Sequence, residues 1–278
     1  LNDPEIVVTG FDRANLFFEV LKTDDKYTSL RQCLDARPDK SAVIYCATRK
    51  TVNELYLSLY NDGYSVSRYH AGLTPDERKQ SQELFINDDV RIMTATNAFG
   101  MGIDKSNVGL VIHYNMPGDI ESYYQEAGRA GRDGEPAECT LLYSASDVRT
   151  NRFMIENSRE ENEELSDSDR KAMLEKDLER LKQMTFYCTT TDCLRGFMLK
   201  YFGEKPSNFC GKCSNCTDGF ETVDITIDSQ KILSCIYRAH QASGRDYGKV
   251  MITEILRGSK NEKLLNLGFD KLSTYGIM

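Results

Sequence analysis

The stretch Gln125-Glu126-Ala127-Gly128-Arg129-Ala130-Gly131-Arg132-Asp133-Gly134 joins one amide and two guanidinium groups to small residues. Gln125, Arg129 and Arg132 stand at i, i+4 and i+7, the spacing of one helical face. Glycine and alanine between them leave that face free of bulk, so a second surface or a polyphosphate can come close. Fixed forks of donors suit the charge that builds on a phosphoryl group in transfer. Alone, such a string is more often a glycine-rich turn carrying solvated arginines, so its surroundings must decide.

A second constellation is Cys193, Cys210, Cys213 and Cys216, spaced C-x16-C-x2-C-x2-C. Two overlapping C-x2-C steps let a tight turn present three thiolates to one ion, and a fourth comes from the preceding helix. Four thiolates make a closed tetrahedral zinc site, structural because no position is left for water. Cys188 competes with Cys193 as fourth ligand on spacing alone, and reduced thiols in a small core are the bland alternative. Lys205 and Lys212 stand close enough in sequence to offset thiolate charge.

Three further groups fall after apolar runs. Thr96-Asn97-Ala98-Phe99-Gly100-Met101-Gly102-Ile103-Asp104 offers glycines for close backbone approach and a carboxylate that can accept from ribose hydroxyls. Thr48-Arg49 and His70-Ala71-Gly72 offer a hydroxyl, a cation and main-chain N–H groups suited to sugar-phosphate contacts. A lone His70 is more often a satisfied structural histidine. There is no G-x-x-x-x-G-K-[ST] loop and no Asp-Glu pair after a strand to hold Mg²⁺. Any nucleotide chemistry therefore needs a second half.

The elements that must carry these groups alternate. Ser41–Cys46, Ser65–Tyr69, Val90–Thr94, Gly109–Tyr114 and Thr140–Tyr143 read as strands. A helix runs through Val52, Leu55 and Leu59 to Gly63. Another starts at Thr74-Pro75-Asp76-Glu77, an N-cap, a proline at N1 and a capping-box Glu. Such alternation predicts a parallel sheet with helices on both faces and ligands at the carboxyl ends of its strands. Residues 147–169 are polar and acidic and read as a link. Helices follow through Met173, Leu174, Leu178, Leu181 and Met184, and from about Thr191 to Phe202, with Gly203 as C-cap. Residues 221–278 predict a helix capped by Asp228 through Ile232, Leu233 and Ile236, a shorter one at Lys249–Leu256, and another near Asp270. Three short helices without room for a wing suggest a truncated winged helix.

The 278 residues allow two or three domains, and the start at Leu1-Asn2-Asp3-Pro4 reads as a cut inside a longer protein. A net charge of −8 argues against a uniformly basic nucleic-acid coat but not against a local basic groove. Nine cysteines without a secretory start point to a reducing compartment, and no apolar run predicts a membrane span.

Taken together, Ser41-Ala-Val-Ile-Tyr-Cys46, Tyr69-His70-Ala71-Gly72-Leu73, Ala98 to Lys105 and Ser122 to Gly134 resemble, in order and spacing, motifs IV, V and VI of the second RecA-like domain of RecQ-family DNA helicases. Cys193 with Arg195, then Tyr201-Phe202-Gly203-Glu204, then Cys210, Cys213 and Cys216 resemble that family's zinc-binding subdomain, which favours Cys193 over Cys188. The resemblance implies an α/β fold: a RecA-like parallel sheet flanked by helices, then a helical zinc-binding subdomain and a partial winged helix. It implies four segments: 1–22 as the connection from an absent first RecA-like domain, 23–146 as the second, 147–220 as the zinc unit, and 221–278 as the start of the winged helix.

The same resemblance implies roles. Arg132 would be the arginine finger, supported by Arg129. Gln125, Gly102 and Asp104 would serve nucleotide binding and coupling. Thr48, Arg49, His70, Gly72, Thr96 and Asn97 would hold DNA. The whole protein would be an ATP- and Mg²⁺-dependent 3′–5′ helicase in repair, recombination and replication. It would act on single-stranded, branched or duplex DNA as a monomer, in the cytoplasm or on a bacterial nucleoid. This fragment, lacking the phosphate loop, would hydrolyse almost no ATP. The competing readings are a non-catalytic zinc and winged-helix binding module, which has no chemical need for Gln125, Arg129 and Arg132, and an RNA-remodelling motor.

Overall fold

A computed structural model of the chain describes residues 10–100, 105–157, 166–218 and 224–278. The expected sites Gly102 and Asp104 lie outside the described residues. The chain forms two units, 1–220 and 221–278.

The first unit is built on a fully parallel sheet of β1 (Leu16–Lys22), β2 (Ser41–Tyr45), β3 (Val66–Tyr69), β4 (Ile92–Ala95), β5 (Val108–His113) and β6 (Ala137–Tyr143), in the order β1-β6-β5-β2-β4-β3. Its helices are α1 (Lys26–Asp35), α2 (Arg49–Asn61), α3 (Pro75–Ile86), α4 (Ile120–Ala127), α5 (Ala145–Asn157), α6 (Asp167–Thr189), α7 (Leu194–Tyr201) and α8 (Ser214–Thr217). The sheet begins earlier than the interior apolar runs suggested. Leu16–Lys22 is a full edge strand in register with β6, not only a connection, and α1 follows it directly.

Strand alternation divides the core. Ala42 and Ile44 of β2 face Leu30 and Leu34 of α1 and Val52, Leu55 and Leu59 of α2. Val43 and Tyr45 face the opposite layer with Phe85, Tyr123 and Ala127. The capping box that opens α3 is formed on both sides. Thr74 accepts from the Glu77 N–H at 3.2 Å, and the Glu77 carboxylate accepts from the Thr74 N–H at 2.8 Å.

The acidic segment is not a simple linker. Its first part is α5, and residues 158–165 lie outside the described residues. Beyond it, Leu181, Met184, Tyr187, Leu194 and Met198 share one buried cluster with Leu16, Phe18, Tyr123 and Ala130. The helical unit is thus continuous with one face of the sheet, and Phe18 of β1 bridges Cys213. That contact covers an edge strand which would otherwise offer unpaired main-chain groups.

The second unit holds α9 (Thr226–Ser243), α10 (Lys249–Leu256), α11 (Glu262–Asn266) and a 3₁₀ turn at Phe269–Lys271. Two expectations change here. Ile225, not Asp228, is the N-cap of α9, and Asp228 sits within its first turn. The buried stripe is Cys235 and Ala239, which pack with Ile252, Ile255, Leu264 and Phe269, whereas Ile232, Leu233 and Ile236 face outward. The expected helix near Asp270 is the 3₁₀ turn, preceded by the unanticipated α11.

A buried ion pair ties the carboxyl edge of the sheet together. Lys26 Nζ reaches the Asp147 carboxylate at 2.6 and 2.8 Å and the Tyr114 carbonyl at 2.8 Å. Asp147 also accepts from the Ser144 N–H at 3.0 Å. Burial pulls the Lys26 ammonium below its ordinary pKa, and the Asp147 carboxylate opposes that. Removing one partner strands the other charge. Asp147→Ala is expected to cost about 3–5 kcal/mol in a urea unfolding experiment; a loss under about 1 kcal/mol, the range of exposed pairs, would contradict the pair's burial.

Candidate functional site

Tyr45 pairs with Ala95 and His113, and Ala95 with Tyr69, so β2, β3, β4 and β5 end at one level. Three turns therefore emerge side by side. Thr48 caps α2 by accepting the Thr51 N–H at 3.1 Å, and Arg49 follows it, exposed. Thr96 is buried beneath its turn, and Asn97 is exposed above it. Asn97 also lines a groove of about 250 Å³ with Cys46, Asn115, Asp119 and Glu126.

His70 is already committed. Its Nδ1 lies 3.1 Å from the Gly72 N–H, and its Nε2 lies 3.2 Å from Asn53 Oδ1. The first contact needs an unprotonated Nδ1, which leaves Nε2 to donate. Burial lowers its pKa, and Arg68 and Arg49 lower it further, which favours that neutral ring. Its ring shapes the turn, and the exposed groups there are Gly72 and the neighbouring Arg49.

The arginine motif is not one helical face. α4 stops at Ala127, and Gly128 caps it by donating to the Tyr124 carbonyl at 2.8 Å. The chain then tightens: Arg129 N–H donates to Glu126 at 3.2 Å and Ala130 N–H to Ala127 at 3.0 Å. Gly131 turns away at φ +55° and donates to the Val108 carbonyl at 2.9 Å. A side chain at 131 would strike the Asn15 amide and the Glu135 carbonyl. Glycines at 128 and 131 disfavour continued helix, so the turn reading describes the backbone.

That turn separates the arginines. Arg129 is half-buried, and its Nη1 donates to the Gly100 carbonyl at 2.6 Å, joining this loop to the one after β4. The buried Tyr45 hydroxyl donates to the Phe99 carbonyl at 3.0 Å beside it. Burial raises the Tyr45 phenol, and the Arg129 and Arg132 guanidinium groups are near enough to oppose that. Gln125 and Arg132 are exposed.

Cys193, Cys210, Cys213 and Cys216 converge, with all four sulfurs within 4.8 Å of one another. The Cys210–Cys216 and Cys193–Cys213 separations are 3.9 and 4.0 Å. A tetrahedron with zinc–sulfur bonds of about 2.3 Å has sulfur–sulfur edges of roughly 3.8 Å. Amide N–H groups of Gly196 and Lys212 point at Cys193 and Cys210 at 3.2 and 3.3 Å, the donors a thiolate requires. The four residues fit one zinc ion. Cys188 lies elsewhere, buried near Lys26 and Asp147, and burial pushes its thiol far up. The Lys212 ammonium goes to the Ala14 carbonyl at 2.9 Å rather than to thiolate charge.

Comparison with known proteins agrees with this architecture. Residues 25–134 match the helicase conserved C-terminal domain, 145–217 the RecQ zinc-binding domain, and 219–278 the RQC domain. The chain belongs to the RecQ helicase family. It is 46% identical to the ATP-dependent DNA helicase RecQ of Bacillus subtilis, over 98% of this chain and 44% of that protein. It is 36% identical to the ATP-dependent DNA helicase RecQ of Pasteurella multocida, over 100% of this chain and 42% of that protein. The RecQ-like DNA helicase BLM of Xenopus laevis is 34% identical over 99% of this chain and 21% of its own length. The chain thus spans less than half of each of these relatives.

The RecQ resemblance includes Arg195 beside Cys193 but gives no role to it, to Arg13 or to Asn15. Arg195 carried a signal: it is a guanidinium on the otherwise apolar start of α7, and it is 6% exposed. A charge so placed must have partners. Among the described residues no helix is long and apolar enough to cross a membrane.

If the RecQ zinc-binding domain is held by its metal, Cys213→Ser should lower zinc from one ion per chain by elemental analysis. It should also melt α7 and the residues packed on it, because metal binding at such sites is folding free energy. Cys188→Ser should keep the full zinc content.

Proposed function

We propose that this chain is the part of an ATP-dependent, RecQ-type 3′–5′ DNA helicase that supplies the arginine wall of the nucleotide site. The observation that carries the reading is an exposed Arg132 on a loop whose main chain is fixed on several sides. Arg13 and Asn15 bind the carbonyls of Gly128, Ala130, Gly131 and Glu135, and Arg129 ties the loop to Gly100. A rigid loop with an exposed guanidinium suits charge that develops on a transferred phosphoryl group.

In this reading Arg132 reaches the γ-phosphate of ATP·Mg²⁺ held by a preceding RecA-like domain. Arg129 holds the loop after β4 in place, while Gln125, Gly102 and Asp104 couple nucleotide state to closure. Thr48, Arg49, Gly72, Thr96 and Asn97 contact the phosphates of a single strand from the level edge of the sheet, with His70 shaping its turn. Such contacts are insensitive to base sequence and weaken with salt. Zinc is structural. The protein works as a monomer on single-stranded and branched DNA, residues 221–278 forming part of a winged helix beside duplex.

The test is Arg132→Ala in the full-length protein. ATP turnover stimulated by single-stranded DNA should fall by about 10³–10⁵, with DNA affinity unchanged. Near-normal turnover would refute the assignment. Strong stimulation by RNA with none by DNA would overturn the substrate.

A further inference from the structure

The loop carrying Arg132 is anchored from a direction that the nucleotide and DNA roles leave unexplained. Arg13 donates through Nη1 to the Gly128 carbonyl at 3.2 Å, and through Nη2 to the Ala130 and Gly131 carbonyls at 3.1 Å each. Asn15 Nδ2 adds bonds to Gly131 and Glu135 at 2.8 and 2.9 Å. The loop's own main-chain contacts to the sheet side are few, chiefly Gly131 to Val108 and Asp133 to Ser106.

Arg13 is itself placed by the zinc unit. Arg195 Nη1 bonds the Asp12 carboxylate at 2.6 Å and the Arg13 carbonyl at 2.9 Å, and its Nη2 donates to the Leu16 carbonyl. The Arg195 guanidinium lies 5.7 Å from the Phe18 ring centroid. Arg195 stands two residues after the ligand Cys193. Lys212, between the ligands Cys210 and Cys213, donates to the Ala14 carbonyl at 2.9 Å. At the near end of the segment, Phe11 stacks on Phe202 at 4.5 Å and its N–H reaches Glu204 at 2.5 Å. Residues 11–16 are therefore gripped by the metal-bearing unit on one side and grip the arginine loop on the other.

We infer that Arg13 and Arg195 are positioning residues, forming a relay through which the zinc unit sets where the Arg132 guanidinium stands. This rests on Arg132 acting at the phosphoryl group. Three carbonyls in a tight turn are matched by one planar fork, which a lysine point charge cannot reproduce. Displacement of a reacting group by about 1 Å can cost on the order of 10² in rate.

The experiment uses the full-length protein with Arg13→Lys, Arg195→Lys and Arg132→Lys, singly and with each of the first two combined with the third. Arg13→Lys and Arg195→Lys should each lower kcat for DNA-stimulated ATP hydrolysis by about 10- to 100-fold. KM for ATP, affinity for single-stranded DNA and zinc content should stay near wild type, and melting should remain cooperative although at a lower temperature. Combined with Arg132→Lys, either change should lower kcat by no more than about twofold further, since a positioning residue acts through a group already impaired. Losses that multiply would overturn the relay. So would a raised KM at unchanged kcat, or loss of zinc and cooperative melting in both lysine variants, which would mark the contacts as merely structural. Wild-type kcat in Arg132→Lys is a separate outcome; it would remove the arginine-finger reading and the relay with it.

Discussion

A short run of main-chain carbonyls that no helix or strand can satisfy is the constraint on which this structure depends. After α4 the chain must leave the helix and reach β6, and two glycines make that passage a tight turn. The carbonyls of Gly128, Ala130 and Gly131 then meet the Arg13 guanidinium. Leaving such groups buried and unpaired costs about 1–3 kcal/mol each. One guanidinium from before β1 reaches all three, Asn15 and the Gly134 N–H share the Gly131 carbonyl, and the loop that carries Arg132 is held from that side.

The same requirement explains why the helical zinc unit is not an appendage. Arg13 can serve the loop only if residues 11–16 are fixed, and they have little regular structure of their own before Leu16. Their fixation comes from Arg195, Lys212, Phe202 and Glu204, all on or beside the metal-bearing elements. Burial of Leu181, Met184, Tyr187 and Met198 against the sheet supplies the apolar contact, and Tyr187 meets Tyr123 of α4 at 5.2 Å between rings. Four thiolates within reach of one ion complete the lock, so the metal and the arginine loop share one continuous core.

The carboxyl edge of the sheet is organised by a different principle. Parallel strands of similar register must end together, so turns distant in sequence become neighbours. Thr48, Gly72 and Asn97 lie on the turns at that edge, and His70 spends both ring nitrogens on its own turn and on Asn53. The Lys26–Asp147 pair closes the far end of that edge.

Much of this was legible in the residues themselves. Alternating apolar runs determined the parallel sheet, the Thr74–Glu77 box determined where α3 begins, and the cysteine spacing determined a metal site, because each depends on neighbours a few positions apart. The strand β1 was missed since its apolar residues precede the first clear strand–helix unit. The buried side of α9 was not legible, because Ile232, Leu233 and Ile236 are more apolar than the Cys235 and Ala239 that are buried. The convergence of Cys193 with Cys213 and the contacts of Arg13 and Arg195 were decided only in three dimensions. Each joins groups roughly 20 to 180 positions apart, and spacing along a chain holds no information about partners that only folding brings within a hydrogen bond.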